Sequence, residues 1–146
     1  MTQNVVSGQT VTVMSGETVS DVTVQDSGKL FISSGGIASN TQVNSGGLET
    51  VFSGGIQNSG TVNEGLLTVG SGGSAVSILL SAPNSSSTQM LVDSGGVVSG
   101  ATISGFAVAV VNGLAVDTIV DDGGALRISS GGIASNTFVS GPATTG

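Results

Sequence analysis

The sequence predicts a single all-β domain over residues 1–146, a parallel β-helix (β-solenoid) of about seven coils with about 19 residues per coil. Three observations carry this. Ser-Gly-type steps recur at Ser15-Gly16, Ser34-Gly35, Ser53-Gly54, Ser71-Gly72, Ser94-Gly95, Asn112-Gly113 and Ser130-Gly131, with spacings of 19, 19, 18, 23, 18 and 18 residues. An apolar column keeps the same increments: Val13, Ile32, Val51, Val69, Val92, Val110 and Ile128. The composition fits stacked short strands, with 25 glycines, 3% aromatic and 8% charged residues. Gly, Ser, Thr and Val are weak helix formers, Gly by about 1 kcal/mol against Ala. The 38% hydrophobic content, regularly spaced, argues against disorder.

Residues 1–12 read as a partial N-terminal coil that serves as a cap. Each full coil then holds two strand-and-turn steps. The second apolar column is Val24, Val43, Val62, a gap, Ile103, Ile119 and Val139. Its turns fall at Ser27-Gly28, Ser45-Gly46, Glu64-Gly65, Ser104-Gly105, Asp122-Gly123 and Ser140-Gly141. Glycine supplies the positive φ that tight corners require, and Asn and Asp tolerate it next best. Ser33–Thr41 and Ser129–Thr137 are the same nine residues, Ser-Ser-Gly-Gly-Ile-Ala-Ser-Asn-Thr, about five coils apart. Stacking at about 4.8 Å per coil would give a rod about 34 Å long. The handedness rule for parallel crossovers predicts a right-handed coil.

Residues 74–92 form an irregular coil with a polar insertion at 81–88, read as a tolerated surface loop. The apolar stretch Ala101 to Val120 is interrupted by Ser104-Gly105, Asn112-Gly113 and Asp117. It therefore reads as stacked strands rather than a membrane span. Residues 141–146 are a tail.

The inventory argues against catalysis, and no cofactor is implied. His and Cys are absent, and Lys29 and Arg127, the only bases, lie about five coils apart. The acidic pair Asp121-Asp122 sits at a glycine corner as a solvated turn, and no Gly-Gly-x-Gly-x-Asp calcium repeat occurs. A net charge of −7 leaves no footprint for nucleic acid or anionic lipid. Two surfaces remain. Thr23, Thr61, Thr102 and Thr118 precede the second column and form a candidate threonine ladder, interrupted by Gln42 and Phe138. Such a ladder is the basis of an alternative reading as an ice- or carbohydrate-binding module, although Thr is also simply a good strand residue. The corner hydroxyls of Ser33, Ser34, Ser129 and Ser130 are candidate sugar acceptors, against a plain role in turn chemistry. A lone Asn-x-Ser sequon stands at Asn84.

The stretch Ser-Ser-Gly-Gly-Ile-Ala-Ser-Asn-Thr-Gln-Val-Asn-Ser-Gly-Gly-Leu-Glu-Thr-Val, Ser33 to Val51, closely resembles the passenger-domain repeat of AIDA-type autotransporter adhesins of Gram-negative bacteria. The resemblance covers most of Val13 to Ser140 and weakens at Ser74–Gln89 and Ser104–Asp117. It implies a non-enzymatic β-helical stalk, extracellular or on the outer-membrane surface, acting in adhesion, self-association or biofilm formation. Its partners would be other copies, or host or bacterial surfaces, with neither nucleic-acid binding nor membrane insertion. It also implies O-heptosylation by a partner glycosyltransferase, with Ser33, Ser34, Ser53, Ser129 and Ser130 as candidate acceptors. The family's secretion signal and translocator barrel are not found in these 146 residues. The chain is thus expected to be a passenger fragment or one of the signal-less proteins with similar repeats.

Overall fold

The computed structural model describes residues 3–84 and 88–141. Among them every regular element is a β-strand and every strand pairing is parallel, as expected of a β-solenoid of about seven coils. Each coil lays down three strands. The first face is a seven-stranded sheet running from Thr10–Val13 through Lys29–Ile32, Leu48–Val51, Leu66–Val69, Gln89–Val92 and Val108–Val111 to Ala125–Ile128. The second face runs from Thr18–Ser20 and Ile37–Ser39 to Val97–Ser99, Leu114–Val116 and Ile133–Ser135. The third runs from Gln3–Val5, Val22–Val24 and Gln42–Val43 to Thr102–Gly105, Ile119–Val120 and Phe138–Val139. In two coils the second and third strands fuse into Ile56–Asn63 and Ser74–Ala82.

Alternation along these short strands sends every other side chain inward. The first-face register aligns Val13, Ile32, Val51, Val69, Val92, Val111 and Ile128. The third-face register aligns Val5, Val24, Val43, Val62, Leu80, Ile103, Val120 and Val139. Away from the last rung these residues are buried and form the core, each contributing about 1.5–3 kcal/mol through removal from water.

Two column members differ from the expected ones, and one gap is filled. Val111, not Val110, faces the core; Val120, not Ile119, does so on the third face, where Leu80 occupies the gap. On the third face Ile119 and Val120 are adjacent aliphatics in a two-residue strand, and pairing with Thr102 and Ile103 decides between them. On the first face the cause is the corner Asn112-Gly113. It has two residues fewer than Asp93-Ser94-Gly95-Gly96 one coil earlier, so counting from corner to corner misplaces the strands by one. A one-residue slip exchanges inside for outside.

The long coil keeps its strands and widens only one corner. Ser81 and Ala82 finish the strand Ser74–Ala82, so they are not loop. Thr88 is buried: its hydroxyl accepts the Glu64 N–H (2.6 Å) and donates to the Ser81 carbonyl (3.0 Å). The rest of the insertion starts at Pro83, and residues 85–87 lie outside the described residues, as does the tail beyond Gly141.

Candidate functional site

The corner between the first and second faces carries the candidate acceptor serines. Ser34, Ser53 and Ser130 occupy equivalent positions along one edge of the rod, and Ser33 and Ser129 stand one residue earlier, in the position Phe52 takes in the third coil. Ser34, Ser53, Ser129 and Ser130 are exposed; Ser33 is half-buried. A backbone ladder holds this edge in register, with Gly16, Gly35, Gly54 and Gly72 each donating to the carbonyl of the corresponding glycine in the next coil at 2.8–3.0 Å. The serine hydroxyl leans on that next glycine. A Cβ at Gly54 would stand 2.7 Å from Ser34 Oγ, so the absent side chain is what leaves the hydroxyl its place. The edge therefore presents hydroxyls at the coil spacing of about 4.8 Å.

The threonine face is less regular than its spacing suggests. The third-face register places Thr23, Thr61 and Thr102 in one outward column, but Gln42 and Leu79 separate them, and Ile119 and Phe138 continue it. Thr118 does not belong to this column. It faces inward between Ala101 and Thr137, is 1% exposed, and its hydroxyl has no hydrogen-bond partner among the described residues. Ile119, not Thr118, pairs with Thr102, so Thr118 precedes the two-residue strand Ile119–Val120 and alternation turns it inward.

A third corner, between the second and third faces, went unrecognised in the sequence. It is a single residue with left-handed backbone in seven successive coils: Asp21, Asn40, Ser59, Ser77, Gly100, Asp117 and Asn136, with φ between 53° and 68°. The sequence signal was the recurrence of Asn, Asp, Ser and Gly, the residues that adopt this conformation most readily or bond locally. The Asn40 amide donates to Asp21 Oδ1 (3.4 Å), and the Asn136 amide donates to Asp117 Oδ1. Beside this bend lies an open polar groove of about 360 Å³, formed by Asp21, Asn40 and Ser59 with Thr23, Gln42 and Thr61 of the third face. It has hydroxyls, amides and one carboxylate, and no aromatic ring.

A polar cluster is also buried in the core. Thr41 Oγ1 donates to Glu49 Oε2 (2.9 Å) and accepts from Gln57 Nε2 (2.6 Å). Burial pushes the Glu49 carboxyl up from 4.5 to about 7, with the Thr41 hydrogen bond opposing the rise. Among the described residues Glu49 Oε1 and Gln57 Oε1 find no hydrogen-bond partner. Glu49 aligns with Leu30 and Leu67 on the inward side of the first face, which its place in the repeat gave no reason to single out. Elsewhere the acids are dispersed, and no three gather as metal ligands among the described residues.

No family model and no curated protein matches the chain. A solved structure does. The chain is similar to the TibC-catalysed, hyper-glycosylated TibA55-350 fragment, with 28% identity and a TM-score of 0.73 over 92% of this chain. It spans 57% of that fragment.

Proposed function

We propose that this chain is a non-enzymatic stalk module of a bacterial surface adhesin, a rod whose corner serines accept sugars. The carrying observation is the edge of exposed hydroxyls at Ser34, Ser53, Ser129 and Ser130, on a solenoid similar in shape to a fragment that was glycosylated enzymatically. The AIDA-type repeat resemblance names the modification as O-heptosylation and the setting as the outside of a Gram-negative cell. A glycosyltransferase and other copies of the rod are the proposed partners. The physical logic is repetition. A ladder of weak, identical surface groups gains strength through valency rather than through one deep pocket.

Co-expression with a bacterial autotransporter heptosyltransferase, followed by intact-mass and peptide mass spectrometry, tests the modification. Sugar is expected on corner serines, with most of it lost when Ser33, Ser34, Ser53, Ser129 and Ser130 are all changed to Ala. An unmodified chain, or sugar confined to the strands, would remove the acceptor edge from the proposal. Settling of cells displaying the chain tests the adhesive role: display should hasten sedimentation, and unchanged settling would count against it.

A further inference from the structure

The two ends of the rod are built differently. Along the first corner of every later coil, the opening N–H donates to the coil before it: Ser33 to Val13, Phe52 to Ile32, Gly70 to Val51, Asp93 to Val69, Asn112 to Val92 and Ser129 to Val111, all at 2.8–3.0 Å. The corner between the third face and the next first-face strand does the same where Gln25 donates to Val5 and Asn44 to Val24. In the first coil the equivalent N–H groups belong to Met14 and Val6. Met14 N–H donates instead to Glu17 Oε2 (2.8 Å), and Val6 N–H to Gln9 Oε1 (3.1 Å).

Glu17 holds a position that every later coil gives to glycine, and Gln9 one that most of them do. The Glu17 position becomes Gly36, Gly55, Gly73, Gly96, Gly113 and Gly132; the Gln9 position becomes Gly28, Gly47 and Gly65, then Thr88, Ala107 and Gly124. The reason is steric. A Cβ at Gly36 would lie 2.4 Å from the Val13 carbonyl oxygen, and one at Gly28 would lie 2.2 Å from that of Val5. At the Glu17 position a side chain fits only where no coil is stacked beneath; at the Gln9 position the same holds for the coils stacked directly above it, while Thr88 and Ala107 sit at the altered corners further along. Val5 and Val13, the first members of the two main core columns, are fully buried, whereas the last members, Ile128 and Val139, are 44% and 71% exposed.

We infer that Gln9 and Glu17 close the N-terminal end of the rod, barring a second copy from stacking its last coil there head to tail. In the 146-residue chain this leaves the rung Ala125–Val139 as the one available for end-on contact among the described residues. This deepens the self-association part of the proposed function. Its test reads assembly of the purified, unmodified chain, so failure of the glycosylation reading leaves it untouched.

The test compares two double variants by sedimentation velocity over rising concentration. Gln9→Gly with Glu17→Gly removes both the capping acceptors and the steric bar, and is expected to give an open-ended series of oligomers. Gln9→Ala with Glu17→Ala removes the acceptors but keeps each Cβ. It should assemble no further than the parent chain, which should form nothing beyond a pair. Amide exchange at Met14 and Val6 should be slow in the parent and in Glu17→Gln with Gln9→Glu, which retain an acceptor, and at least tenfold faster in the Ala variant. That exchange comparison stands even if the glycine variant fails to fold. Open-ended assembly of the parent, equal assembly of the Ala and Gly variants, a folded Gly variant that stays like the parent, or unprotected Met14 and Val6 amides in the parent would each overturn the inference.

Discussion

Ser33–Thr41 and Ser129–Thr137 have the same nine residues and nearly the same backbone, but different surroundings. Both turn tightly, with Gly36 N–H donating to Ser33 O and Gly132 N–H to Ser129 O at 2.9 Å. Both form a three-residue strand, Ile37–Ser39 and Ile133–Ser135, and both end on an asparagine at φ 53° that donates to an aspartate one coil earlier. The first copy has a coil on either side and buries Ala38 and Thr41. The second is the last rung, where Ala134 is exposed and Ile133 is 60% exposed. Nine residues dictate their own path, and the neighbouring coil decides what that path buries.

Substitutions made in parallel at the two copies sharpen this contrast. The largest difference is expected for Ala38→Asp against Ala134→Asp. An unpaired carboxylate forced into the packed interior should cost upwards of about 3 kcal/mol, while the exposed site should change by about 0.5 kcal/mol or less. Urea unfolding of the two variants decides it, and similar losses would mean that the last rung is as buried as the inner one.

Next in size is the titration of Glu49, tied to the first copy alone because Thr41 bonds its carboxyl. The folded-state value of about 7 exceeds the unfolded 4.5, so between these values the native chain holds a proton that the unfolded chain has released. The Glu49 contribution to stability should therefore be fully present below about pH 4.5 and be lost as pH rises through about 7, by on the order of 3 kcal/mol for a shift of this size. Glu49→Leu, matching Leu30 and Leu67 of the same column, should flatten the Glu49 contribution and raise the melting temperature at pH 8. Amide protection, taken relative to the intrinsic exchange rate at each pH, should fall with rising pH around Thr41–Gly60 and stay level around Ser129–Val139. The same change in protection at both would detach the effect from Glu49.

The smallest contrast is between Asn40→Ala and Asn136→Ala. Both residues are left-handed, so each substitution should cost about 1–2 kcal/mol, and the two losses should agree because the strain is local. Thermal unfolding that separates them widely would show that the bend depends on its neighbours.

The coil period, the parallel stacking and most of the core were legible because glycine corners and aliphatic positions repeat together at Val13, Ile32, Val51 and Val69. The reading lost register at Asn112-Gly113, where a corner shortens while the strands stay aligned. Hence Val110 falls on the wrong side; Ile119 and Thr118 do so because Ile119 and Val120 are adjacent aliphatics whose sides only the pairing with Thr102 and Ile103 distinguishes. The bend at Asp21 and Asn40 was missed because one left-handed residue leaves no Gly-Gly pair to count. Glu49 was missed because an acid in a Leu-Glu-Thr-Val strand looks solvated until its column is known to face inward. Of the candidate site, the corner serines were visible as residues, and their alignment along one edge appears only when the coils are stacked.

By itself the sequence determined the period, the corner chemistry and the alternation within each strand, because these depend on φ preferences and on spacing along the chain. The tertiary structure alone decided which of two identical segments is core, how Thr41, Gln57 and Glu49 meet, and why Glu17 stands where every later coil keeps glycine. Those outcomes depend on the carbonyl row of an adjacent coil about 4.8 Å away, which no local stretch of sequence contains.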